Sequence, residues 1–179
     1  LRFPPIINRK NFEKVEYIKA FPQLMGIIHT FAGNDKQHRE LLRKFEAGED
    51  WTQELAAADV VLKPAACYPV YPTMTGVLPP GGRIIDVLSY CFRHEPSPDP
   101  ARMMMFRMHE HIRFAAPDEV KTWRDLWFAR SQRLLSAMGL PARAEVANDP
   151  FFGRTGKVLA QNQRDAELKF ELLVPIHTE

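Results

Sequence analysis

Ser89-Tyr-Cys91-Phe-Arg93-His-Glu95-Pro-Ser-Pro-Asp-Pro100-Ala-Arg102-Met103-Met-Met-Phe106-Arg-Met108-His-Glu110-His-Ile112-Arg-Phe114 is the stretch on which the fold turns. Two segments of alternating character flank a tip that carries Pro96, Pro98 and Pro100. Proline has no N–H for a ladder, so the tip reads as a turn and the flanks as an antiparallel hairpin. Period-2 alternation assigns Cys91, Arg93 and Glu95 to one face of the first strand. Phe106, Met108, Glu110 and Ile112 share a face of the second. An arginine, two carboxylates, a ring and a thiol on one surface make a poor core and a good holder of a charged ligand.

Outward from the hairpin, the chain alternates short strands and helices. Asn11 is read as the cap of a short helix to Lys19, and Leu24–Phe31 as a buried strand enclosing His29 as a core histidine. Asn34 caps a helix through Ala47 that stops at Gly48. Thr52–Ala58 reads as a short helical turn and Asp59–Leu62 as a strand ending at Lys63-Pro64. Residues 64–72 form a proline-stiffened loop around Cys67, which by local sequence is a small buried hydrophobe. Pro117 to Gly139 is a helix whose stripe of Val120, Trp123, Trp127, Leu134 and Met138 reads as core. Its Lys121, Arg124, Arg130 and Arg133 form a solvated face, with docking of an acidic partner as the alternative. Arg143–Ala147 is a strand, Gly156–Arg164 a loop or irregular strand, and Glu167–Pro175 a strand. Antiparallel strands with helices outside define an α+β domain spanning 1–179.

The 179 residues suffice for one core, with 45% hydrophobic and 26% charged residues. A net charge of +2 argues against a nucleic-acid coat, and two cysteines argue for a reducing, cytoplasmic setting. No apolar run reaches the roughly 20 residues of a membrane helix, so no membrane partner is expected. The opening on Leu1 and the close after an apolar strand suggest truncation at both ends.

The hairpin resembles motif 2 of class II aminoacyl-tRNA synthetases, with Phe92-Arg93-His94-Glu95 before the tip and Arg102-Met-Met-Met-Phe106 after it. Residues 1–33, from Phe3-Pro4-Pro5 to Phe21-Pro22, resemble the motif 1 region, which in that family builds a dimer interface. The likeness is nearest to seryl-tRNA synthetases of the archaeal, zinc-dependent type and to their tRNA-independent relatives, the amino acid:[carrier protein] ligases. Those ligases share the runs Cys91–Ser97, Phe106-Arg-Met-x-Glu110, Ala147-Asn-Asp-Pro-Phe-Phe-Gly153 and Lys169-Phe-Glu-Leu-Leu-Val-Pro-Ile176. Lys169 departs from the aspartate of the seryl enzymes, and Cys67 falls where their Thr-x-Glu loop lies.

The resemblance implies a partial class II catalytic core, an antiparallel sheet flanked by helices, without motif 3. It implies that Arg93 is catalytic, clamping the α-phosphate of ATP, and that Glu95, Arg102, Met103, Phe106 and Lys169 bind ATP. Cys67 and Glu110 would hold Zn²⁺, with the third ligand outside the chain, and Glu110 would face the substrate. ATP, Zn²⁺ and Mg²⁺ are implied as cofactors. The expected reaction activates a small amino acid, of the glycine or alanine class, as its adenylate. Transfer follows to the phosphopantetheine thiol of an acyl carrier protein, by a homodimer that uses no tRNA. The alternatives are a fragment of a true seryl-type aminoacyl-tRNA synthetase and a non-catalytic synthetase-like paralogue.

Overall fold

The computed structural model describes residues 1–175; Ile176, the last residue of the Lys169 run, lies outside them. The chain forms two compact units. The first comprises Leu1–Ile18, Leu24–Met74 and Val87–Glu110, the second Lys19–Gln23, Thr75–Asp86 and His111 onward.

In the first unit, β1 (Ile6–Asn8) and β2 (Ile27–Thr30) flank β3 (Ala56–Leu62) in an antiparallel sheet of order β1-β3-β2. The register sets Ile7 opposite Val61 and Ile27 opposite Val61, with an irregularity between Ile27 and His29. Strand β3 starts three residues before the Asp59 expected from sequence, because the alanines Ala56–Ala58 join the ladder; the helical turn before it is only Trp51–Glu54. Strand β2 is shorter than expected and mostly exposed, and His29 lies on its open side, not in a core. Strand β2 is an edge strand of the sheet and only Ile28 is partly covered, so apolar character did not translate into burial. Asn8, not Asn11, caps α1 (Arg9–Lys14), accepting from the Lys10 N–H at 2.9 Å; α2 (Tyr17–Ala20) follows after a break. Helix α3 (Asp35–Glu46) carries the expected Asn34 cap, closed reciprocally by Gln37.

Strands β4 (Arg83–Phe92) and β5 (Met105–Phe114) make the predicted hairpin, its tip half in the first unit and its base in the second. The apolar face of β4 packs inward through Val87, Ser89 and Cys91, each no more than 5% exposed. Lys63 joins this strand to the three-stranded sheet. Its N–H donates to Pro5 O at 2.9 Å and its carbonyl accepts from Phe92 N–H at 2.8 Å.

In the second unit, β6 (Arg143–Val146) pairs antiparallel with β7 (Phe170–Leu173), Ala144 opposite Leu172. Helix α4 (Pro117–Ala137) meets β7 through the Phe128–Phe170 ring pair, centroids 5.1 Å apart. The stripe read as core is only half-covered at Trp123 and Trp127, while Leu134 and Met138 are more than 60% exposed. Residues 153–165 form helix α5, where the sequence suggested a loop or irregular strand. Gly153 and Gly156 obscured its periodicity. Gly156 is a packing requirement: a β-carbon there would lie 2.6 Å from the Phe151 carbonyl.

Candidate functional site

The hairpin tip and the cysteine loop lie in the first unit and are tied to each other twice. Arg93 Nε donates to Pro64 O at 3.0 Å, and Glu110 Oε1 accepts from Ala66 N–H at 2.8 Å. Both ties follow from local structure. Strand β5 presents Glu110 on its inward side, and the prolines of residues 64–72 fix the loop's backbone so that its N–H and C=O groups point at the strand.

Period-2 alternation holds for Arg93 but not for Glu95. Strand β4 ends at Phe92, Arg93 N–H adds one ladder bond to Met104 O at 2.9 Å, and Glu95 lies in the turn beyond. Prolines 96, 98 and 100 end the pairing there. The Arg93 guanidinium sits over the Phe106 ring, 5.6 Å from its centroid. Glu95 Oε2 and Arg102 Nη1 form an ion pair at 2.8 Å. Met103 is 61% exposed beside them. The structure therefore brings Arg93 to Phe106 and Glu95 to Arg102 as two pairs.

Cys67 is half-buried, with the Glu110 carboxylate and the Tyr71 hydroxyl among the groups that act on its thiol. Burial pushes the Cys67 thiol up to about 12, helped by the Glu110 charge and opposed by the Tyr71 hydroxyl. Glu110 Oε1, bonded to the N–H of Ala66 beside Cys67, gives the loop a thiol and a carboxylate, a soft and a hard donor of the kinds that suit Zn²⁺. Cys91 is 1% exposed, its sulfur 3.8 Å from Ser89 O, and burial pushes its thiol up to about 11. It packs.

Lys169 belongs to the second unit. Its ammonium bonds Asp149 Oδ1 and Glu171 Oε1, each at 2.9 Å. Burial disfavours its charge, but the two carboxylates prevail and raise its pKa. Gln163 completes the cluster through Asp149 Oδ2 at 2.9 Å. The basic face of α4 is partly committed as well. Arg124 donates to Glu167 O at 2.7 Å and lies 4.9 Å from the Phe170 centroid, and Arg130 lies over Trp127 at 5.2 Å.

Two residues near the cysteine loop went unread in the sequence. Lys63 is fully buried, its ammonium on Ser89 Oγ, which donates to Phe3 O at 2.8 Å. Burial lowers its pKa, with Cys91, Glu110 and Cys67 opposing. Tyr71 is the other. A lysine closing the apolar run Val60-Val61-Leu62 and a tyrosine between prolines were the signals present.

The class II architecture is matched directly. The seryl-tRNA synthetase of M. kandleri, solved in complex with A. aeolicus tRNASec, superposes with a TM-score of 0.68 at 22% identity, over 84% of this chain and 31% of that one. The fold is thus that of a class II seryl-tRNA synthetase core. The chain is similar, along its entire length, to two proteins of Bradyrhizobium diazoefficiens. They are amino acid–[acyl-carrier-protein] ligase 1, at 45% identity, and amino acid–[acyl-carrier-protein] ligase 2, at 43%. The chain spans 56% and 54% of the lengths of these relatives. No family model matches the chain. Among the described residues no helix is long and apolar enough to cross a membrane.

Proposed function

We propose that this chain carries the ATP platform and half of the amino-acid pocket of an adenylate-forming ligase. The enzyme loads a small amino acid onto the phosphopantetheine thiol of an acyl carrier protein. One observation carries the reading: Arg93 holds the cysteine loop with Nε while its guanidinium lies over Phe106. That contact supports reading Arg93 as the phosphate clamp, Phe106 as the adenine platform and the loop after Pro64 as the metal-ligand loop.

In this reading Phe106 stacks on adenine and the Nη groups of Arg93 face the α-phosphate, where charge grows as the amino-acid carboxylate attacks. Glu95 and Arg102, paired with each other, position the nucleotide with Met103. Cys67 and Glu110 would hold Zn²⁺. When bound, the zinc supplies a Lewis-acidic anchor for the substrate amino group. Mg²⁺ accompanies the ATP phosphates. Glycine or alanine fits a pocket centred on a metal, and homodimerisation uses residues 1–33. Free thiols at Cys67 and Cys91 fit a reducing, cytoplasmic setting, and a carrier protein rather than tRNA takes the aminoacyl group.

Pyrophosphate exchange into ATP by the full-length protein, with glycine, alanine or serine, tests the reading. Exchange dependent on glycine or alanine is expected, followed by transfer to a phosphopantetheinylated carrier protein. No exchange with any of the three removes the enzyme assignment.

A further inference from the structure

The face of the hairpin opposite Glu110 carries a second set of metal-ligating side chains. Alternation along β5 turns Glu110 inward and leaves His109 and His111 together on the outward face. Asp86 of β4 meets His111 across the ladder, its Oδ2 lying 3.5 Å from the histidine Nδ1. One ligand atom from each of Asp86, His109 and His111 lies within 4.8 Å of the other two. All three stand on one hairpin, so strand pairing sets their spacing. Trp127 of α4 stacks on the His111 ring, with centroids 4.3 Å apart and 11° between the planes. Arg107, the neighbouring outward residue, lies over the Tyr90 ring at 6.0 Å.

We propose that Asp86, His109 and His111 form a binding site for a divalent transition cation of the Zn²⁺ class, using no residue of the Cys67–Glu110 pocket. Bonds of about 2.0–2.1 Å around a tetrahedral zinc set its ligand atoms roughly 3.3 Å apart. The Asp86–His111 pair already stands near that spacing. The same 3.5 Å is long for a direct charge-assisted hydrogen bond, which runs about 2.7–2.9 Å. Side-chain rotation of His109 closes the remainder. Two imidazoles and a carboxylate suit Zn²⁺ and its neighbours, whereas Mg²⁺ takes oxygen ligands. On binding, each histidine presents a nitrogen lone pair, any proton on that nitrogen leaves to solvent, and water fills the fourth position. The Trp127 stack limits rotation of the His111 ring, so less ordering is left for the metal to impose. The bound cation ties β4 to β5 on the outward face.

The test uses the full-length protein carrying Cys67→Ala, which removes the pocket thiol, dialysed to equilibrium against micromolar Zn²⁺. This parent is expected to retain one equivalent per chain that millimolar Mg²⁺ does not displace. His109→Gln and Asp86→Asn, both at exposed positions, are each expected to weaken retention at unchanged metal-free Tm. The expected loss is about tenfold or more, the range that even outer partners of a ligand command. His111→Gln is expected to lose zinc likewise, with a lower Tm from the missing Trp127 stack. Parent-like binding by both His109→Gln and Asp86→Asn overturns the proposal, as does displacement by Mg²⁺. A parent that retains no zinc also overturns it, while the pocket reading is judged apart, by the zinc that wild type holds beyond the parent.

Discussion

Glu110 Oε1 accepts the backbone N–H of Ala66 at 2.8 Å, so one carboxylate both faces the Cys67 thiol and fastens the loop that carries it. The two roles separate by substitution. Glu110→Ala leaves the fully buried Ala66 N–H without its acceptor and should cost about 1–3 kcal/mol. Glu110→Gln keeps an acceptor and should melt near wild type, yet lose bound zinc. Thermal melting alongside metal analysis checks both; zinc retained by Glu110→Gln would remove Glu110 from the ligand set.

Arg93 is expected to act through its planar fork. Arg93→Ala should lower pyrophosphate exchange by about 10²–10³-fold, the usual cost of a lost donor to developing charge. Arg93→Lys should recover little, since an ammonium supplies no fork and cannot hold Pro64 O and a phosphate oxygen together. Full recovery by lysine would mean that charge alone suffices.

Lys63 predicts a pH dependence of stability. Burial sets its folded pKa below the 10.5 of an exposed lysine, so between those values the unfolded chain binds the proton and the folded one does not. Its charge therefore lowers stability below the folded pKa, and the loss is relieved as pH rises toward 10.5. Lys63→Met should raise stability at neutral pH by on the order of 1–2 kcal/mol and remove this alkaline gain. Urea melts at pH 7 and 10 give the comparison, and an equal or lower midpoint for Lys63→Met at pH 7 refutes it.

Gly82 sits at the base of β4 with φ of 67°, and a β-carbon there would lie 2.0 Å from Phe114 O. Gly82→Ala combines a left-handed backbone penalty with a clash against main chain and should destabilise by more than about 1–2 kcal/mol. Calorimetry reads the loss directly.

Arg124 and Arg130 separate on α4. Arg124 is spent on Glu167 O and Phe170, so Arg124→Glu should lower Tm before it alters carrier-protein transfer. Arg130→Glu should spare exchange and reduce transfer if α4 receives an acidic carrier. Titrating the carrier protein against both variants, with exchange as the control, tells them apart.

Much of the hairpin was legible because its signals are local: prolines at the tip, alternation on the flanks, and a charged set no core would tolerate. Glu95 was misassigned to a strand because alternation does not show where pairing stops, and three prolines stop it at once. Helix α5 was missed for a related reason. Gly153 and Gly156 hide its period, and the need for glycine at 156 appears only when Phe151 is seen against it. His29 and the stripe of α4 show the converse, apolar neighbours predicting a burial that the described partners do not provide.

By itself the sequence determined the α+β class and the hairpin, and carried motifs that resemble those of carrier-protein ligases, because secondary-structure period and motif order are properties of neighbours along the chain. Tertiary structure alone decided which charges meet. Arg93 reaches Pro64 across 29 positions and Glu110 reaches Ala66 across 44, and Lys63 enters a core from the end of an apolar strand. Such contacts depend on how strands and loops close on one another, and the order of residues along the chain does not encode them locally.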